Sequence, residues 1–126
     1  MLNIPKQIEY WVRTAEEDFE VGSGLIHAGK TRHGLFFVHL AVEKTLKACV
    51  CKNQKATPPK THNLMHLCRL AGLDVDIQRQ DAIETLSRFC LEGRYPDQWP
   101  AIPEREEAQH YLGMAEELTQ WLKKQL

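Results

Sequence analysis

The chain has 126 residues and a mass of 14.6 kDa, which is room for one domain of ordinary size and excludes a catalytic domain beside a separate binding domain. With 43% hydrophobic residues and a mean hydropathy of -0.44, it can bury a core without needing disulfides or a metal. A net charge of -1 excludes a polyanion binder of the strongly basic kind.

The first periodic segment, Lys6 to Ala28, sets Ile8, Trp11, Val12, Ala15, Phe19 and Ile26 at steps of mostly three or four, with Glu9, Arg13, Glu16, Glu17 and Glu20 pointing elsewhere. That pattern predicts an amphipathic helix, with Pro5 suited to its first turn and Gly29 to the position after its last. From Arg32 to Lys52 a second helix is apolar nearly all round, so it belongs in the middle of a bundle and its few polar residues become informative. Asn53 to Lys60, ending in Pro58 and Pro59, breaks that helix. Thr61 is then expected to cap a short helix carrying Leu64, Leu67, Cys68 and Leu70 as far as Gly72.

A further helix is predicted over Ile77 to Glu92, with Gly93 as its stop. The run from Arg94 to Pro103 holds three prolines and cannot be helical throughout. Glu104 to Gln125 repeats Ala108, Tyr111, Leu112, Ala115, Leu118 and Leu122 along one side, with acids in its first turn and Lys123 and Lys124 in its last, as the helix dipole favours. No segment alternates with period two. The expected fold is all-α, an up-and-down helical bundle of four main helices plus one short helix, forming a single domain over residues 1–126.

The longest apolar run, Leu35 to Val42, is interrupted by His39 and falls far short of the roughly 20 residues of a membrane span. Met1 to Ile8 has no apolar stretch ending in small residues, so no secretory signal and no membrane association are expected, and a cytoplasmic location is. Cys49, Cys51, Cys68 and Cys90 lie in apolar-periodic segments without paired metal spacing and read as reduced thiols. Charge is polarised along the chain. Seven basic residues against Glu43 alone lie between Lys30 and His62, whereas six acids against Arg105 alone lie from Asp97 to Glu117, so one face is expected to prefer phosphate.

His39, Glu43 and Lys47 recur every fourth residue on the apolar second helix, with Lys44 beside them. Charges on such a helix need partners, either as a structural Glu43–Lys47 ion pair or as a polar pocket facing phosphate. His62 and His66 share the spacing of a metal-binding helix, but Asn63 stands where a catalytic zinc helix has Glu, so no metal is expected. His62 reads instead as a group that caps or orients the short helix. Arg94, Tyr95 and Asp97 follow Gly93 directly and would display a guanidinium, a phenol and a carboxylate on a loop, or Arg94 would pair with Asp97 or helix carbonyls. Trp99 is either a core plug or a stacking platform for a base.

Four strings together resemble the HEPN domain, named for higher eukaryotes and prokaryotes nucleotide-binding. They are Tyr10-Trp11 through Ala15-Glu16-Glu17-Asp18-Phe19, then Ala41-Val42-Glu43-Lys44-Thr45-Leu46-Lys47-Ala48, then Thr61-His62-Asn63-Leu64, then Arg94-Tyr95-Pro96-Asp97. The resemblance implies a helical bundle that pairs as a dimer and is often encoded beside a minimal nucleotidyltransferase in toxin–antitoxin-like modules. It also implies, for many relatives, a metal-independent endoribonuclease whose Arg holds the scissile phosphate while a His, separated from it by four to six residues, assists attack by the ribose 2'-hydroxyl. The Arg of that motif corresponds best to Arg94, but Trp99, Pro100 and Ala101 occupy the positions where the His would fall. Arg105 and His110 fit the spacing, yet they lie in the predicted last helix, roughly 140° apart around its axis.

The expectation is therefore a non-catalytic nucleotide-binding and interaction module with no cofactor, using Glu43, Lys44, Lys47, Arg94, Tyr95 and Asp97 toward a nucleotide or RNA phosphate. The alternative is an endoribonuclease using Arg105 and His110. A homodimer is expected because the second helix, with adjacent Phe36 and Phe37, offers more apolar surface than four neighbours readily cover.

Overall fold

The computed structural model describes residues 2–94 and 102–126, with the backbone alone for positions 91–94. Five helices follow in chain order: α1 (Ile4–His27), α2 (Thr31–Gln54), α3 (Leu64–Leu70), α4 (Ile77–Arg94) and α5 (Arg105–Lys124). There is no strand among the described residues. The nearly all-apolar composition of α2 puts it at the centre, in contact with each of the other four helices, and 15 of its 24 residues are buried. Leu35, Val38, Val42, Leu46 and Val50 on α2 share one core with Leu64 and Leu67 of α3, Ile83 and Leu86 of α4 and Leu118 and Leu122 of α5. Each of these aliphatic side chains contributes about 1.5–3 kcal/mol by leaving water.

α1 lies closest to α2 because both carry glycine at their crossing. A Cβ on Gly22 would stand 2.8 Å from the Gly34 carbonyl oxygen, and one on Gly34 would stand 2.7 Å from that of Gly22. Asn3 caps α1 by accepting the Lys6 amide at 3.1 Å, Pro5 sits in the first turn, and Gly29 at φ 82° turns the chain into α2. At the start of α4, Arg79 donates to Asp76 and to Glu117 of α5 and lies 4.6 Å from the Trp121 ring centroid, clasping α4 to α5.

Three expectations change in detail. Asn63, not Thr61, caps α3 by accepting the His66 amide at 3.0 Å, while the Thr61 hydroxyl accepts the Asn63 amide. Gly93 does not stop α4, which runs on to Arg94. The apolar surface of α2 is also covered largely within the one chain: Phe36, Phe37 and Leu40 stay half-buried, the two rings edge to face at 6.1 Å, while Leu35 and Val38 beside them are sealed.

Candidate functional site

Glu43 sits in the middle of α2 with 3% of its side chain exposed, and the helical repeat stacks His39 one turn before it and Lys47 one turn after it on the same face. Lys47 Nζ donates to Glu43 Oε2 at 3.0 Å. His39 Nε2 stands 3.4 Å from Oε1, close enough for charge attraction but without hydrogen-bond alignment. His62, from the connection between α2 and α3, brings Nδ1 to 2.8 Å from the same Oε1. One buried carboxylate thus gathers three basic side chains from two parts of the chain. Lys47 Nζ also lies 5.4 Å from the Trp11 ring centroid, so α1 closes the far side of the ammonium.

Burial alone would push the Glu43 carboxyl up, but the close approach of His39, the hydrogen bonds from His62 and Lys47 and the Lys47 charge hold it down at about 2. Burial would likewise push His39 down, yet its interactions with Cys90 and Glu43 raise it to about 8. The geometry agrees with that direction. Nδ1 of His39 faces the Leu86 carbonyl at 3.3 Å and Nε2 faces the carboxylate, so both ring nitrogens look at acceptors and the imidazolium can serve both as a donor. At neutral pH Glu43 is balanced by Lys47, and the His39 charge leaves the cluster net positive. His62 is its outlet to solvent: its side chain is 48% exposed, against 0% for His39 and 9% for Lys47.

Of the residues expected at the site, Glu43 and Lys47 come together. Lys44 does not join them. One position further along, it is turned roughly 100° around the helix and pairs with Asp18 of α1 at 2.6 Å. The cap of α3 is Asn63, and His62, one residue before it, holds the Glu43 carboxylate. Arg94 ends α4; its side chain, and Tyr95, Asp97 and Trp99, lie outside the described residues. Arg105 and His110 are exposed in the first turns of α5, where the regular helix keeps them apart around its axis.

Trp11 over Lys47 and the Leu86 carbonyl beside His39 went unread in the sequence, since both are long-range contacts of residues whose spacing marked them only as core. Among the described residues no group of three or more His, Cys, Asp or Glu side chains is placed to hold a metal ion. Burial raises the Cys49 and Cys68 thiols to about 12 and about 11, which disfavours the reactive thiolate. Among the described residues no helix is long and apolar enough to cross a membrane. A cavity of about 550 Å³ lies between α1 and α5 and is not lined by Glu43, Lys47 or His62.

The HEPN domain family model matches residues 8–125 of the chain. Among solved structures the chain is similar to TT1696 from Thermus thermophilus, with 24% identity and a TM-score of 0.80 over 95% of this chain and 98% of that one. It is similar also to ST0689, described as an archaeal HEPN homologue, with 21% identity and a TM-score of 0.74 over 94% and 96% of the two chains. At these identities the two structures establish a shared fold. No curated protein matches the chain.

Proposed function

We propose, for a chain that belongs to the HEPN domain family, a role as a non-catalytic binding and interaction module that recognises a nucleotide or RNA phosphate and partners a minimal nucleotidyltransferase in a toxin–antitoxin-like system. The observation that supports phosphate recognition is the Glu43 cluster, in which a sealed carboxylate holds His39, Lys47 and His62 within 3.4 Å, with positive charge in excess when His39, raised to about 8, is protonated. Glu43 acts as the anchor. It fixes Lys47 and the His62 ring before any ligand arrives, so a phosphate at the exposed side of His62 meets positive potential without an ordering cost. α4 ends at Arg94, two turns past the Leu86 carbonyl that faces His39. In this reading the Arg94 guanidinium, with Tyr95 and Asp97, completes the phosphate site, and the protein works in the cytoplasm as a homodimer.

The sequence favours binding without turnover, since Trp99, Pro100 and Ala101 follow Arg94 where the nuclease pattern has His. One observation favours the alternative, an endoribonuclease. A carboxylate orienting an imidazole at 2.8 Å beside an ammonium is a geometry suited to general acid–base catalysis. Incubating structured and single-stranded RNAs with the protein, without metal and beside His62→Ala and His110→Ala variants, separates the readings. Intact RNA throughout is the expected result. Cleavage lost in His110→Ala would promote Arg105 and His110, and cleavage lost in His62→Ala would promote the Glu43–His62 pair.

A further inference from the structure

α1 and α5 both pack on α2 but barely on each other, and the space between them is a trough of about 550 Å³. Its floor is apolar or small: Ala15 and Phe19 from α1, Ala41 and Thr45 from α2, and Thr119 from α5. Its rims carry three acids, Glu16 and Glu20 along α1 and Glu116 along α5, against one lysine, Lys123 of α5, with His27 closing the end of the α1 side. Glu16 has only a long contact to Lys123, at 3.8 Å, and Glu20 and Glu116 have no ion pair among the described residues. The acidic surface continues outward along α1 through exposed Glu17, and Val21 stays 47% exposed beside it.

We infer that this trough is a docking groove for a basic amphipathic helix of a partner protein. The α1 wall runs from Ala15 to His27, a length of about 18 Å that matches three turns of helix. A three-turn helix, about 10 Å across, displaces more volume than the trough holds, so one apolar face enters while the flanking Lys or Arg side chains reach the two rims. This is the helix-in-groove mode of recognition, with the charge of the rims selecting the partner. The same charge disfavours the other occupants. A two-fold pairing of this face with itself would bring together six carboxylates, from Glu16, Glu20 and Glu116 of each copy, against two Lys123 ammoniums, and a nucleic acid would meet the same excess of negative charge.

Glu20 and Glu116 lie outside the Glu43 cluster, so failure here leaves the phosphate reading untouched. The probe is a fluorescein-labelled 16-residue peptide, about four helical turns, with leucines on one helical face flanked by lysines. It is titrated against the intact protein at low ionic strength and followed by anisotropy. Binding is expected, weakened about tenfold or more by Glu20→Lys with Glu116→Lys, which removes about 1.4 kcal/mol or more. Gln120→Trp, an exposed rim position, should block the trough without altering charge, and circular dichroism checks that each variant stays helical. Amide shifts on peptide addition should centre on Ser23, Gly24, Thr119 and Gln120. Equal affinity for the charge-reversed protein, equal binding of a peptide with glutamates for lysines, or amide shifts confined to other surfaces would overturn the assignment. So would self-association of the native chain that the charge-reversed variant loses, since a second copy would then be the occupant.

Discussion

His62 Nδ1 stands 2.8 Å from Glu43 Oε1 across 19 positions of sequence, so the connection leading into α3 is tied to the middle of the central helix. Because Glu43 also holds His39 and Lys47, removing its charge strands two buried cations at once. Glu43→Gln should cost about 3–5 kcal/mol, the usual penalty for breaking a buried ion pair from one side. His62→Ala removes a half-exposed partner and should cost about 1 kcal/mol. Urea denaturation of both variants checks the ranking, and a Glu43→Gln cost below that of His62→Ala would contradict it.

The same cluster sets the pH range of stability. Glu43 titrates near 2 in the fold against 4.5 ordinarily, so its contribution is complete above 4.5 and is lost as pH falls through 2. His39 titrates near 8 against 6.5, so its contribution is complete below 6.5 and is lost as pH rises through 8. At about 1.4 kcal/mol per tenfold change in proton affinity, the two correspond to about 3 and about 2 kcal/mol. Unfolding free energy should therefore be greatest between pH 4.5 and 6.5 and decline on both sides. His39→Asn should remove the alkaline decline, and a native protein whose stability is level from pH 6.5 to 8 would exclude a charged His39.

Gly34→Ala should destabilise the protein by about 3 kcal/mol, because its Cβ would stand 2.5 Å from Ile26 Cγ1 as well as against the Gly22 backbone. Gly113→Ala meets nothing within 4 Å and should stabilise α5 by about 0.5–1 kcal/mol. Thermal unfolding of the two variants moving in the same direction would contradict the close crossing of α1 and α2.

Much of this architecture was legible in apolar spacing. Leu118 and Leu122 on α5 and Leu35, Val38, Val42, Leu46 and Val50 on α2 are buried as their periodicity required, and the Glu43–Lys47 pair follows from one helical turn. What spacing does not carry is direction around the helix and contact across the chain. Lys44, adjacent to Glu43, faces Asp18 instead, and the approach of His62 depends on the path of a proline-containing connection with no periodicity to read. The apolar excess of α2 is covered in large part by α1, α3, α4 and α5, while Phe36, Phe37 and Leu40 stay half-buried.

The proposed homodimer is expected to use the half-buried Phe36 and Phe37 rather than the sealed face of α2. Light scattering across micromolar to high concentrations should give twice the 14.6 kDa chain mass, and Phe37→Lys should shift it toward a monomer. A monomer at every concentration would remove the pairing.

Calorimetric titration with ATP tests phosphate recognition by the Glu43 cluster most directly. The native protein should bind, with a shallow salt dependence because few phosphates are contacted at once. Lys47→Ala combined with Arg94→Ala should weaken binding about tenfold or more, equal to about 1.4 kcal/mol or more. Undiminished binding by the double variant, or no binding by the native protein, would contradict the assignment of this cluster to phosphate.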